Sequence, residues 1–282
     1  MVERKSFFSF LPHLVLLAGI FIVAFPVYVA FVASTWDPAT ISNGQMPLRP
    51  GPHFLENYYQ TIFVGTSKSS REPVGMMMLN SLIMALTIAI GKISISIISA
   101  FAIVYFRFPF RMTAFWVIFV TLMLPVEVRI YPTYKIVADL GLLDSYVGLT
   151  VPLIASATAT LLFRQFFMTV PDELVEASKI DGASPMQFFK DTLLPLSITS
   201  IAALFVIQFI YGWNQYLWPL LITTRESMQT IVIGIKKMIV TQDALTEWQI
   251  AMATAVLAML PPVLVVILMQ RLFVKGLVET EK

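Results

Sequence analysis

At 282 residues, 57% of them hydrophobic and only 13% charged, this chain is too apolar for an ordinary soluble domain. A net charge of +2 is too small to mark a nucleic-acid binder or a strongly basic membrane-surface protein. There are no cysteines, which excludes disulfides, iron–sulfur clusters and thiolate sites, and His13 and His53 lie far apart, as interfacial or loop residues rather than metal ligands.

Taken in order, Glu3-Arg4-Lys5 precedes an apolar run from about Phe7 to Ser34. At about 25 residues that run outlasts the roughly 7–15 of a signal-peptide core and can cross about 30 Å of hydrocarbon, so it predicts a retained first helix. Pro12 and Pro26 are tolerated there if neighbouring helices satisfy the freed carbonyls. From Trp36 to Val74 the chain turns polar and rich in breakers, with Pro38, Gly44, Pro47 and Pro50-Gly51-Pro52, which reads as a long surface loop. Within it, Glu56-Asn57-Tyr58-Tyr59 suits a short interfacial helix. Five further spans follow at about 76–104, 112–130, 145–166, 195–222 and 249–270, which makes six. The expected fold is an all-α membrane protein, with residues 1–75 as the first helix and its outer loop and residues 76–282 as a five-helix core. Arg107 and Arg111, in the short turn after the second span, favour an inner face for that turn and hence inner termini, although Lys and Arg elsewhere divide almost evenly.

Three sets of polar residues fall inside or beside these spans. Lys92 sits deep in the second, in Ile90-Gly91-Lys92-Ile93-Ser94, where a lysine is costly unless it snorkels, finds a partner or faces water. Gly91-Lys92 is no phosphate-binding loop, because Ile93 replaces the required Ser or Thr and no glycine stands five residues upstream. The third span is weakened by Pro125, Glu127 and Arg129. An anionic cargo would want Lys92 and Arg129 along its path, arginine offering a bidentate fork. Alternatively, Glu127 pairs with Lys92 or a neighbour and serves only packing. In the fifth span Gln208, Tyr211 and Gln215, joined by Asn214, form a polar stripe at helical spacing, suited either to a helix–helix contact or to the lining of a pathway.

The largest polar interruption runs from Pro171 to Pro195. Asp172 and Glu173 suit the first turn of a short helix, and Asp181-Gly182 ends it, glycine supplying a positive φ. Ser184-Pro185-Met186-Gln187 then restarts a helix with a capping-box pattern. Two short helices with a glycine hinge would project from the inner face as a knob.

Glu176-Ala177-Ser178, Asp181-Gly182-Ala183 and the closing Leu194-Pro195 resemble the EAA loop of permease subunits in type I ABC importers, with Ser178 where a second alanine is usual. Trp213-Asn214, Trp218-Pro219-Leu220-Leu221 and the tail Phe273-Val274-Lys275-Gly276-Leu277 are similar to signatures of the same family. The resemblance implies six helices with cytoplasmic termini in a bacterial inner membrane, and no chemistry by this chain. It places Glu176, Ala177, Ser178, Asp181, Gly182, Ala183, Phe188 and Pro195 at the contact with an ATPase dimer. ATP and Mg²⁺ would be bound on that dimer, and this chain would hold no cofactor. It also implies a second permease subunit, a periplasmic solute-binding protein and surrounding lipid as partners, and no nucleic acid. Within the family, the runs Thr121–Arg129, Leu162–Met168 and Phe209–Pro219 look like the permease subunits of glycerol-3-phosphate importers, which implies sn-glycerol-3-phosphate or glycerophosphodiesters as cargo. A sugar importer of the same family and an ion-coupled secondary transporter are the rival expectations. The charges at Glu127 and Arg129 depart from the family pattern, which is usually uncharged there.

Overall fold

The structure, a computed structural model, describes residues 10–65, 72–121, 126–239 and 247–279. Among them every regular element is helical. In chain order these are α1 (Leu11–Ala33), α2 (Pro38–Ser42), α3 (Phe54–Tyr59), α4 (Val74–Tyr105) and α5 (Arg111–Val120). Next come α6 (Val126–Asp139), α7 (Tyr146–Thr150), α8 (Ala157–Phe167), α9 (Asp172–Ile180) and α10 (Pro185–Phe188). The last are α11 (Leu194–Leu196), α12 (Ile198–Trp213), α13 (Leu217–Ile222), α14 (Ile231–Ile239) and α15 (Trp248–Glu279).

Among the described residues three helices are long and apolar enough to cross a bilayer: α1, α4 and the stretch Trp248–Leu272 of α15. Two bent pairs bring the number to five if each pair is one span: Tyr146–Leu153 with Ala157–Phe167, bent by 47°, and Pro185–Leu196 with Ile198–Trp213, bent by 71°. The expected span at 112–130 is not one described helix. Its apolar part, α5, has 10 residues. At about 1.5 Å per residue that covers roughly half of a 30 Å core. The surface of α1 is apolar almost all round, with Leu17, Phe21 and Val23 exposed, a surface that hydrocarbon solvates and water does not.

The chain forms two compact units. In the first, made of the described residues up to Met76 and within Gly234–Leu260, the expected loop after α1 is held by hydrogen bonds. Asn57 of α3 donates to the carbonyls of Ser34 (2.8 Å) and Trp36 (2.9 Å), and the Gly51 amide donates to Thr35 Oγ1 at 2.7 Å. A β-carbon on Gly51 would lie 2.6 Å from the Thr35 carbonyl oxygen, so only glycine fits there.

The second unit contains the rest of α4 and α5 to α13. Small residues let its helices approach closely: a β-carbon on Gly212 of α12 would come within 2.9 Å of Ala85 Cα on α4, and one on Gly91 within 2.9 Å of Ile154. Ser96 of α4 donates to the Ser156 carbonyl, and Ser81 accepts from the Ile231 amide. One junction is polar and exposed. Asp144, at φ 53°, accepts from the amides of Thr224 (2.6 Å) and Arg225 (2.8 Å) and from the Thr224 hydroxyl. Slight burial raises the Asp144 carboxyl, but these hydrogen bonds and the Arg225 charge outweigh it and hold the pKa below the ordinary 3.8. A depressed folded-state pKa means the clasp contributes above the ordinary carboxylate range and fails as pH falls through the lowered value. Amide protection of Thr224 and Arg225, corrected for intrinsic exchange, should therefore hold from neutral pH to below about 4 and then collapse, and Asp144→Ala should abolish it at every pH.

Candidate functional site

Two sites stand out in the second unit: a charged cavity among the spans and the knob formed by residues 171–195. The cavity has a volume of about 720 Å³, within the roughly 300–1,000 Å³ usual for small-molecule sites. Lys92 and Ser99 of α4, Thr121 beside α5, Arg129 of α6, and Gln208 and Tyr211 of α12 contribute to its wall. The start of α8 also opens on it, at Ser156, Ala157 and Thr158. Ser156 caps that helix by accepting from the Ala159 amide, and the remaining first-turn amides give this end of the 11-residue helix a partial positive charge.

Lys92 is only 6% exposed, and its surroundings explain how a lysine survives there. Its Nζ donates to Gln208 Oε1 at 3.1 Å and stands 3.7 Å from the centroid of the Tyr211 ring. A lysine at the centre of a transmembrane helix costs roughly 2.5–3.5 kcal/mol on insertion scales. A hydrogen bond to a charged group, about 1.5–3 kcal/mol, and a desolvated cation–π contact, about 2 kcal/mol, are together large enough to offset that. No carboxylate among the described side chains lies within ion-pair reach of Lys92, and the described wall of the cavity contains no acid. The positive ends Lys92, Arg129 and the α8 N-terminus therefore face a cavity that nothing described neutralises.

The residues expected along a pathway are only partly brought together. Lys92, Arg129, Gln208 and Tyr211 share the cavity, with Arg129 exposed. Gln208 and Tyr211 do lie on one helix face, but α12 ends at Trp213 with Asn214 as its C-cap. Gln215 thus falls beyond the helix, where its amide donates to the Tyr211 carbonyl at 3.2 Å, and Asn214 is exposed away from the described wall. The side chain of Glu127 lies outside the described residues. The contribution of Ser156–Thr158 escaped the sequence reading, which took 145–166 as a single span. The alternation Ala155-Ser156-Ala157-Thr158, a capping serine within an apolar run, is the signal that marks it.

The knob takes the expected form. Asp172 and Glu173 lie in the first turn of α9, Gly182 adopts φ 74° beyond its end, and Ser184 with Gln187 closes a capping box at α10. Glu176, Ala177, Asp181 and Gly182 are exposed, Ser178 and Ala183 are half-buried, and Pro195 is exposed at the exit. Ile180 is 85% exposed and Met186 64%, so the tip presents apolar side chains outward. The opposite side is anchored in aromatic packing. Phe188 is buried with its ring 5.4 Å from Tyr105, and Phe189 lies 4.9 Å from Phe101, both partners being on the last turns of α4. Phe163 and Phe167 of α8 and Leu204 of α12 complete this cluster. A π-helical turn, Phe189–Leu193, joins the knob to α11 and so to α12.

Residues 92–279 match the family model described as "Binding-protein-dependent transport system inner membrane component". The chain belongs to this family. Among its relatives, proteins called "sn-glycerol-3-phosphate transport system permease protein UgpE" from Brucella melitensis and Agrobacterium fabrum are each 58% identical over all 282 residues, 100% of both chains. One of the same name from Yersinia pestis is 57% identical over the same full length. The fold matches a solved chain from a "bacterial ABC transporter involved in the import of the acidic polysaccharide alginate", with a TM-score of 0.80 at 19% identity, covering 96% of this chain and 99% of that one. As a family member, the chain is an inner-membrane permease component of an ABC import system and not an enzyme.

Phe188 is the anchor whose loss should free the knob. Truncating a buried phenylalanine costs about 3–5 kcal/mol in a packed core. Phe188→Ala should raise tryptic cleavage at the exposed Lys179 and Lys190 several-fold in the detergent-purified protein while leaving the loop 223–229 as resistant as before.

Proposed function

We propose that this chain is one of two permease subunits in an ATP-driven importer of sn-glycerol-3-phosphate, and of glycerophosphodiesters that share its anionic group. The observation that carries the reading is the cavity in which Lys92, Arg129 and the α8 N-terminus meet without a described acid, in a chain 58% identical over its whole length to permeases named for this cargo. Phosphate suits such a lining: arginine offers two parallel donors, an ammonium adds a point charge, and helix amides accept an anion without further charge.

In this reading the chain crosses the bacterial inner membrane six times, one of the crossings including α5, with both termini in the cytoplasm. A periplasmic binding protein delivers the cargo to the outer loops, and a second permease subunit supplies the other half of the pathway. The knob at 171–195 docks on an ATPase dimer through Glu176, Ala177, Ser178, Asp181, Gly182 and Ala183, with Phe188 and Pro195 setting its stance. ATP and Mg²⁺ belong to that dimer, and this chain binds no cofactor. Lipid covers the apolar surface of α1, and no nucleic acid is involved.

The test is uptake by the full importer reconstituted in proteoliposomes. Labelled sn-glycerol-3-phosphate should enter only with ATP, and other phosphorylated polyols should compete where uncharged polyols do not. Lys92→Met and Arg129→Gln should each lower uptake roughly tenfold to a hundredfold, the equivalent of one lost charge-assisted contact of about 1.5–3 kcal/mol. Competition by neutral sugars instead would point to a sugar permease. At the knob, Gly182→Asp should abolish uptake. Aspartate is among the residues that tolerate positive φ, and the space around Gly182 is open, so the change tests the docking surface more than the fold. ATP-independent uptake, or full activity of Gly182→Asp, would favour an ion-coupled transporter.

A further inference from the structure

Lys92 is stabilised by two groups that leave its charge intact. Gln208 offers an amide oxygen and Tyr211 the face of its ring, and neither carries a net charge. A lysine retained only to pack helices would be satisfied as well by an acid, and Gln208 differs from glutamate by a single terminal group. With the described wall also free of acids, the described charges that face the cavity share one sign.

We infer that Gln208 and Tyr211 are positioning residues that hold the Lys92 ammonium in place without neutralising it, and so set the charge selectivity of the cavity. The inference rests on the anionic-cargo reading above. Both residues lie on one face of α12, at i and i+3, while Lys92 comes from α4, so the arrangement exists only where the two helices meet. Burial of Lys92 to 6% exposure confines the ammonium to this cage and to the cavity the cage lines. An anion entering the cavity thus meets a charge already desolvated and already oriented. An uncharged polyol gains nothing comparable.

Gln208→Glu tests this directly, because it sets a carboxylate where an amide oxygen now stands 3.1 Å from Nζ and changes the shape of the wall very little. In the reconstituted importer, uptake of sn-glycerol-3-phosphate should fall at least tenfold, with this subunit still co-purifying with its partners. Gln208→Met, which removes the acceptor without adding charge, should lower uptake about threefold to fivefold, a smaller loss than that of Gln208→Glu because the Tyr211 ring still holds Nζ. Unchanged uptake by Gln208→Glu, or equal losses in both variants, would overturn the inference. Should Gln208→Glu fail to assemble, Tyr211 decides: Tyr211→Leu, which removes the ring, should lose at least fivefold more uptake than Tyr211→Phe, which keeps it, and equal losses in the two would overturn the inference. An unsubstituted importer that takes up no phosphorylated polyol would instead overturn the cargo reading, and the inference with it.

Discussion

Hydrocarbon offers no hydrogen bonds, so a charge placed inside a membrane protein must find all its stabilisation within the protein. In this chain that constraint falls on Lys92. Its two contacts come from α12, which fixes where α4 and α12 must meet. Close approach of the same pair is secured elsewhere by Gly212 against Ala85, where a larger side chain would force the backbones apart. Packing by small residues and satisfaction of one ammonium therefore act on the same helix–helix contact.

The path from knob to cavity is a short one in the chain. Residues 185–196 run as helix with a π turn at Phe189–Leu193, bend by 71°, and continue as α12, which bears Gln208 and Tyr211. The aromatic cluster around Phe188 meanwhile ties the knob to the far end of α4, the helix that carries Lys92. Both halves of the lysine cage are thus joined, by covalent chain or by packed rings, to the same protrusion.

Much of the local design was legible in the sequence because it is local. The capping box at Ser184, the positive φ of Gly182, the acids opening α9 and the short helix at α3 each depend on residues within a few positions. The depth of Lys92 followed from its apolar neighbours. The partners of Lys92 were not legible as partners, because Gln208 lies 116 residues away and only tertiary packing brings it near. Periodicity alone carried the polar stripe on to Gln215, whereas the helix stops two residues earlier at Trp213, and the stripe is shorter than its spacing suggested. Hydropathy likewise joined α7 to α8, since a window average passes over the cap at Ser156, and the break there turns a helix N-terminus toward the cavity. Uptake lost on removal of Lys92 or Arg129 would be explained by residues that the sequence singled out; loss on perturbing the start of α8 would not.

Helix α4 runs for 32 residues with no proline inside it. At about 1.5 Å per residue this is close to 48 Å, well beyond a 30 Å hydrocarbon layer. With no proline break between them, Lys92 and the foot formed by Phe101 and Tyr105 lie on one continuous helix. Its companion α12, by contrast, begins at a sharp elbow. Any sliding of the bent helix along the straight one must alter what the ammonium touches, which makes the contacts of Lys92 a gauge of the strain between two neighbouring rods.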